Sequence, residues 1–127
     1  MKKNTVLLVK RNSDVYNNYW SLPGGIINFL ETPEDALVRE VAEETGLIIL
    51  NSRLTDAYLI VYSPNSLKKL PSHTSIDLIY KCKIKKTKPI MKDAQEIKQI
   101  KYFSILSLPQ KIAFEHRKII NTYCKLR

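Results

Sequence analysis

Apolar and polar residues along the chain follow two repeating patterns, one typical of strands and one typical of helices. Short β-branched or apolar runs bounded by charged or turn-forming residues predict strands. These runs cover residues 5–11, 20–22, 47–50, 58–62, 75–85 and 97–103. In the run 75–85 apolar residues alternate with mostly charged ones, which predicts a strand with one dry face and one face largely exposed to water.

A helix from Pro33 to Thr45 has clear signals at both ends. Thr32 suits the N-cap, proline suits the first helical position, and Asp35 completes a capping box with Thr32. Gly46 follows the last turn, where glycine commonly ends a helix. Helical spacing then predicts an apolar face that contains Leu37, Val38, Val41, Ala42 and Thr45.

A second helix is predicted to begin at Pro109. Its apolar face would contain Ile112, His116, Ile119, Ile120 and Tyr123. Strands combined with two well-separated helices predict an α/β (α+β) protein in which helices cover a sheet. No repeat or low-complexity linker divides the 127 residues, so a single domain over residues 1–127 is expected.

Cysteine content and hydropathy narrow the class of protein further. Cys82 and Cys124 are too few for a disulfide framework and too isolated for a zinc site, which favours a reducing compartment. No apolar run approaches the roughly 18 residues that a membrane-spanning helix needs. A cytoplasmic protein without a membrane partner is therefore expected.

The charge of the chain is high and unevenly distributed. The net charge of +9 comes from 21 basic and 12 acidic residues. Residues 25–47 contain six acidic side chains and one arginine, a net charge of −5, whereas the other 104 residues carry 20 basic and six acidic side chains, a net charge of +14. A strongly basic chain favours a polyanionic partner, and the acidic segment within it needs a separate explanation.

Three of these acids, Glu40, Glu43 and Glu44, share one stripe of the predicted helix because they are three and four residues apart. A solvated helix face is the ordinary explanation, but none of the positions four residues later carries a basic side chain. The acids also lie near the C-terminal end of the helix, where the helix dipole disfavours negative charge. A divalent cation would remove the repulsion, and clustered carboxylates suit Mg²⁺ or Mn²⁺.

The spacing around these acids resembles the Nudix box of the MutT-like hydrolases. The fixed positions of a complete box at residues 25–47 are filled by Gly25, Glu31, Arg39, Glu40, Val41, Glu43, Glu44, Gly46 and Leu47. The resemblance implies a Nudix α/β/α sandwich with a mixed sheet between helices, in which the usual first strand is either missing, supplied by a partner or replaced. It also implies Mg²⁺-dependent cleavage of a nucleoside diphosphate linked to another moiety, by attack of metal-activated water on phosphorus.

The same resemblance assigns roles to individual residues. Glu40, Glu43 and Glu44 would bind the metal together with the backbone carbonyl of Gly24. Glu31 and Arg39 would hold the loop between Gly25 and the helix and orient the carboxylates. Glu96 stands where several family members carry a catalytic or metal-linked glutamate. The general base, Glu40 or Glu96, stays open. Asn28 and Leu30 depart from the glutamate and glycine that this loop usually contains.

Four residues are candidate substrate contacts: Arg11, Trp20, Phe29 and Tyr62. Arg11 would bind phosphate, while Trp20 and Phe29 flank the glycine turn and would stack on a base. Core packing explains Trp20 equally well, and a charge at the end of a strand near solvent explains Arg11 equally well. Tyr62 precedes a loop over residues 63–74, which is expected to influence substrate choice.

Three readings of function remain open from the sequence. The first is hydrolysis of a small nucleotide of the nucleoside triphosphate or ADP-ribose type. The second is removal of pyrophosphate from the 5′ end of RNA, which the basic surroundings of the acidic segment favour. The third is a non-catalytic nucleotide-binding regulator with the Nudix fold, against which the complete set of box acids argues. The oligomeric state is open, a homodimer included.

Overall fold

Five strands and two helices form the regular structure of residues 4–62 and 73–124, the part of the chain that the computed structural model describes. In chain order they are β1 (Thr5–Arg11), β2 (Trp20–Ser21), α1 (Pro33–Thr45), β3 (Ile49–Tyr62), β4 (His73–Ile84), β5 (Ile97–Ser104) and α2 (His116–Tyr123). The strands form two antiparallel groups, β2-β1-β5 and β3-β4. The predicted α+β class is confirmed, while the alternatives for the usual first strand concern residues 1–3, outside the described part.

The central strand β1 places the first functional candidates at one end of its sheet. It pairs with β5 from Thr5 opposite Ser104 to Arg11 opposite Ile97, with an irregularity in register just before Arg11. The backbone N–H of Asn12 then donates to the carbonyl of Glu96 at 2.9 Å. Arg11 and Glu96 therefore lie on adjacent chain segments where β1 ends and β5 begins.

The second sheet is longer than the hydrophobic pattern predicts. Residues 47–50 and 58–62 were expected to form separate strands, but β3 is continuous because β4 pairs with it along its length, with a bulge between Leu54 and Asp56. The polar residues between the two apolar runs obtain backbone hydrogen bonds from β4 rather than from water. The predicted dry face of β4 is wrong at Ile76 and Leu78, which are 69% and 37% exposed.

Both predicted ends of α1 are confirmed. The Thr32 hydroxyl accepts a hydrogen bond from the backbone N–H of Asp35 at 3.1 Å, and Gly46 closes the helix with a φ of 71°. The predicted apolar face is partly wrong, since Val38 is 43% exposed and the buried residues are Ala36, Val41, Glu44 and Thr45. The helix is thus oriented so that one of its acidic side chains, Glu44, lies in the interior.

The second helix begins at His116, seven residues after the predicted start at Pro109. Residues 111–113 instead extend along β2, and Ile112 forms a parallel bridge with Trp20. Beyond this segment, α2 buries Ile119 and Ile120. Ile120 belongs to a core cluster with Val6 and Leu8 of β1. No helix within the described residues is long and apolar enough to span a membrane.

Candidate active site

The turn after β2 meets the C-terminal half of α1 through two close contacts. The backbone N–H of Gly24 donates to Oε1 of Glu44 at 2.8 Å. Gly25 lies against the carboxyl group of Glu40, so closely that a Cβ at this position would overlap that group. The glycine turn and the helix acids therefore form one constellation, as the spacing of the box predicts.

Arg39 connects the loop between Gly25 and α1 to three carboxylates. Its guanidinium forms a forked pair with Glu31, with N–O distances of 2.7 and 3.0 Å. It also donates to Glu40 at 2.8 Å and to Glu43 at 3.2 Å. A further N–H reaches the carbonyl of Ile26 at 2.9 Å. The structure therefore brings Glu31 and Arg39 together as the resemblance implies.

The electrostatics of this network follow from its hydrogen bonds. Arg39 lowers the pKa of Glu31 by donating to its carboxylate, and the backbone N–H of Asn28 acts in the same direction. In return, the hydrogen bonds that Arg39 donates to Glu31 and, to a smaller extent, to Glu40 raise the pKa of Arg39. Forked arginine–carboxylate pairs fix orientation as well as charge. The loop that contains Asn28 is consequently held in place before any ligand binds.

Glu44 is the least solvated carboxylate in the constellation. Its side chain enters the interior beside Val41 and Thr45, and the residue is 8% exposed. Burial raises its pKa to about 8, and the charges of Glu40, Glu96 and Asp93 add to this rise, while the Gly24 N–H opposes it. Within the described residues Glu44 has no salt bridge. A negative charge at this position therefore lacks a salt-bridge partner among the described residues, and Arg11 is the cation whose charge interacts with it.

A second acidic segment faces the helix acids from the start of β5. The backbone N–H of Glu96 donates to the Asp93 side chain at 3.2 Å, so the two residues share one turn. The charge of Asp93 raises the pKa of Glu96, followed by burial and the charge of Glu40. Asp93 is absent from the sequence-based candidates. The spacing of two acids three residues apart, just before a strand, is the signal that could have identified it.

Arg11 faces the same group of acids from the end of β1. Its Nε donates to the carbonyl of Val15 at 3.0 Å, and its guanidinium lies 4.9 Å from the centre of the Phe114 ring. Burial lowers the pKa of Arg11, and the charges of Glu44 and Glu96 oppose that change. A partly desolvated arginine thus stands next to several carboxylates without forming a salt bridge to a described residue.

Comparison with known proteins shows the family to which this chain belongs. The family model of the NUDIX domain matches residues 1–123. The chain belongs to the Nudix family. It is 33% identical over 124 residues to an ADP-ribose pyrophosphatase of Methanocaldococcus jannaschii, a match that covers 98% of this chain and 68% of that protein.

Two further similarities are to an RNA pyrophosphohydrolase and to a solved Nudix structure. An RNA pyrophosphohydrolase of Acinetobacter baylyi is 51% identical over 43 residues, covering 34% of this chain and 24% of that protein. The crystal structure of a MutT NUDIX hydrolase from Burkholderia pseudomallei has a TM-score of 0.81 and 21% identity, covering 97% of this chain and 91% of that one. The structural match confirms the Nudix fold. The chain is thus a Nudix hydrolase.

Nudix hydrolases generally use divalent metal ions. No three acidic, histidine or cysteine side chains in the described parts of the chain are arranged to hold one as they stand. Arg39 donates to both Glu40 and Glu43, which accounts for part of this arrangement. The chemistry of the donors nevertheless suits Mg²⁺ or Mn²⁺, because the carboxylates of Glu40, Asp93 and Glu96 are hard oxygen donors near the buried carboxylate of Glu44, which has no salt bridge among the described residues.

The three aromatic candidates for substrate contact lie in different settings. Trp20 packs against the core cluster, with its ring edge-to-face against Phe103 at 4.8 Å, so hydrophobic packing accounts for this residue. Phe29 lies on the loop before α1 and is 92% exposed. Tyr62 is the last residue of β3, and its side chain lies outside the described part of the structure. Of the two rings that the structure describes, that of Phe29 is therefore the one free in solvent.

Gly25→Ala is expected to lower turnover about tenfold or more, because the added methyl group would displace the Glu40 carboxylate from its place against the turn. The measurement is kcat for nucleotide hydrolysis, with a thermal melt to establish that the variant is folded. A folded variant with the wild-type kcat would show that the position of Glu40 against Gly25 is unimportant.

Proposed function

We propose that this Nudix hydrolase is a Mg²⁺-dependent pyrophosphohydrolase, with Mn²⁺ as an alternative metal, that cleaves a small nucleotide containing a nucleoside diphosphate linked to another moiety. The observation that carries the proposal is the buried carboxylate of Glu44 near three other acids, Glu40, Asp93 and Glu96, and near a partly desolvated arginine. A carboxylate in this position is stabilised by a cation and serves no evident packing purpose.

The residues divide into a metal-binding group and a positioning group. Glu40, Glu43, Glu44 and the carbonyl of Gly24 would hold the metal. Bound there, the metal would neutralise phosphate charge and make a coordinated water more acidic. Arg39 and Glu31 orient the carboxylates through the forked pair described above.

Glu96 is the better candidate for the general base than Glu40. One oxygen of Glu40 accepts from Arg39 at 2.8 Å, which weakens it as a proton acceptor. Glu96 is exposed, and the neighbouring charge of Asp93 raises its pKa, so its carboxylate accepts a proton more readily. Arg11 would bind the phosphate, since its charge interacts with both Glu44 and Glu96.

The relatives and the loop before α1 support a proposal for the substrate class. The ADP-ribose pyrophosphatase of M. jannaschii matches almost the whole of this chain, which favours a substrate of the ADP-ribose type. The exposed ring of Phe29 lies on a loop held by Arg39, where it would stack on a base. Tyr62 stays a predicted contact. Trp20 is left out of the proposed site because of its packing in the core.

An assay for phosphorylated products in the presence of Mg²⁺ tests the proposal. The panel consists of ADP-ribose, normal and oxidised nucleoside triphosphates, dinucleoside polyphosphates, nucleotide sugars and triphosphate-ended RNA. We expect ADP-ribose to be cleaved to AMP and ribose 5-phosphate, and we expect a chelator to stop the reaction. Turnover that persists in excess chelator would contradict the metal site.

Removal of pyrophosphate from RNA is the second candidate, because the acidic site lies within a strongly basic chain and the RNA pyrophosphohydrolase of A. baylyi is similar over one third of this chain. Steep loss of RNA affinity with salt, together with poor turnover of free nucleotides, would favour it. Absence of product with every member of the panel would favour a nucleotide-binding regulator.

A cytoplasmic location and a single domain over residues 1–127 complete the proposal. Cys82 and Cys124 are both free and half-buried, and the low cysteine content supports a reducing compartment. The oligomeric state, including a homodimer, is to be measured by light scattering.

A further inference from the structure

A short parallel ladder links β2 to the segment before α2. The backbone N–H of Trp20 donates to the carbonyl of Lys111 at 3.0 Å, and the N–H of Ala113 donates back to Trp20 at 2.8 Å. In a regular parallel ladder the next donor would be the N–H of Leu22, and its acceptor would be the carbonyl of Ala113.

The ladder stops before that bond can form. The chain turns away at Phe114, which has a φ of 57°, and the Ala113 carbonyl instead accepts from the backbone N–H of His116 at 3.3 Å. The N–H of Leu22 donates to Nδ1 of the His116 ring at 2.9 Å. The imidazole thus replaces the missing backbone acceptor.

This bond holds the backbone next to the glycine turn of the active site. Leu22 is followed by Pro23, which has no N–H, and then by Gly24, whose N–H donates to Glu44 at 2.8 Å. The segment from Leu22 to Gly24 is therefore held at one amide by α2 and at the other by α1. Without the first bond, the described hydrogen bonds would hold the amides of this segment only at Gly24, through the buried carboxylate of Glu44.

We propose that His116 is a positioning residue that sets the backbone of the Leu22–Gly24 turn and thereby the metal-binding geometry at Gly24 and Glu44. The metal-binding part rests on the function proposed above. The imidazole accepts at Nδ1, so its proton lies on Nε2. Burial lowers the pKa of His116 to about 4, and the charge of Arg11 acts in the same direction, which keeps the ring neutral around pH 7.

Three variants separate positioning from packing. His116→Leu keeps an apolar side chain of similar size but removes the acceptor. His116→Asn removes the ring but keeps a hydrogen-bond acceptor, because Oδ1 of asparagine is bonded to Cγ in the position that Nδ1 occupies in histidine. Ile119→Val is the matched control, since Ile119 is a buried residue of the same helix and the change only trims its side chain.

The measurements are amide hydrogen exchange at Leu22 and Gly24, Mn²⁺ affinity by calorimetry, and kcat. For His116→Leu we expect exchange at Leu22 to rise, and Mn²⁺ affinity and kcat to fall, each by about tenfold. Exchange in β1, at Val6 and Leu8, should change no more than in Ile119→Val. His116→Asn should recover most of the lost affinity.

Two outcomes would overturn the proposal. One is a uniform rise in exchange across β1 and the turn with unchanged Mn²⁺ affinity, since that is the signature of packing alone. The other is an Asn variant that behaves like the Leu variant. If His116→Leu does not fold, the scalar coupling between the Leu22 amide nitrogen and Nδ1 of His116 tests the bond in the wild-type protein, and its absence refutes the proposal. A wild-type protein that keeps this coupling but shows no turnover would refute only the proposed function.

Discussion

Glu44→Gln is expected to lower Mg²⁺-dependent hydrolysis by on the order of 10²-fold or more, while the protein stays folded. The variant loses a charged metal ligand, but the amide oxygen can still accept the Gly24 N–H that Glu44 accepts at 2.8 Å. Because a neutral side chain also ends the burial of a charge that has no salt bridge among the described residues, we expect the metal-free variant to be more stable than the wild type at pH 8.

Steady-state kinetics with Mg²⁺ and urea unfolding in chelator measure these two effects. Glu115→Gln is the matched control, because it removes one exposed carboxylate outside the group of acids. We expect this control to retain wild-type turnover and stability. A Glu44→Gln variant with turnover within twofold of the wild type would show that Glu44 is not a metal ligand.

The stability of the metal-free protein is expected to fall by about 2 kcal/mol as the pH rises from about 6.5 to about 8. The pKa of Glu44 is raised from 4.5 to about 8, so between these values the folded protein holds a proton that the unfolded chain has released. Folding is therefore favoured at low pH, and this contribution is lost as the pH rises through the folded-state pKa.

His116 opposes this trend at lower pH. Its pKa falls from 6.5 to about 4 on folding, so below pH 6.5 the unfolded chain takes up a proton that the folded protein rejects. From about pH 4.5 to 6.5 the contributions of Glu44 and His116 have opposite signs and largely cancel. The net decline is thus confined to the range above about pH 6.5.

Urea unfolding in chelator at several pH values, repeated with saturating Mg²⁺, measures this profile. Since the metal would bind only the folded protein with Glu44 ionised, Mg²⁺ should abolish the decline. Glu44→Gln should show rising stability up to about pH 6.5 and a flat profile above it. A wild-type stability profile that is flat from pH 6.5 to 8 in chelator would show that folding does not raise the pKa of Glu44.

Local chemistry was sufficient to predict α1. Its caps are made by neighbours in sequence, Thr32 with Asp35 and Gly46 with Ala42, so both ends could be predicted without knowledge of the rest of the fold. The resemblance to the box likewise implied that Glu31 and Arg39 would hold the loop before α1, and the two side chains form a forked pair there.

The errors arise where distant segments decide the structure. Helical periodicity holds after Pro109, but residues 111–113 are engaged by β2, and the helix begins only after Phe114 turns the chain. The burial of Glu44 depends on the turn after β2 and on the orientation of α1, and neither is visible in helical spacing alone. Asp93 joins the acids only because β5 pairs with β1.

The guanidinium of Arg39 has a consequence for how substrate and metal influence each other. It binds the Ile26 carbonyl on the loop that carries the exposed Phe29, and the same group binds Glu40 and Glu43. A ligand that displaces this loop is therefore expected to displace the carboxylates as well, because Arg39 bonds directly to both. A displacement of the loop is therefore transmitted to Glu40 and Glu43 through a single arginine side chain.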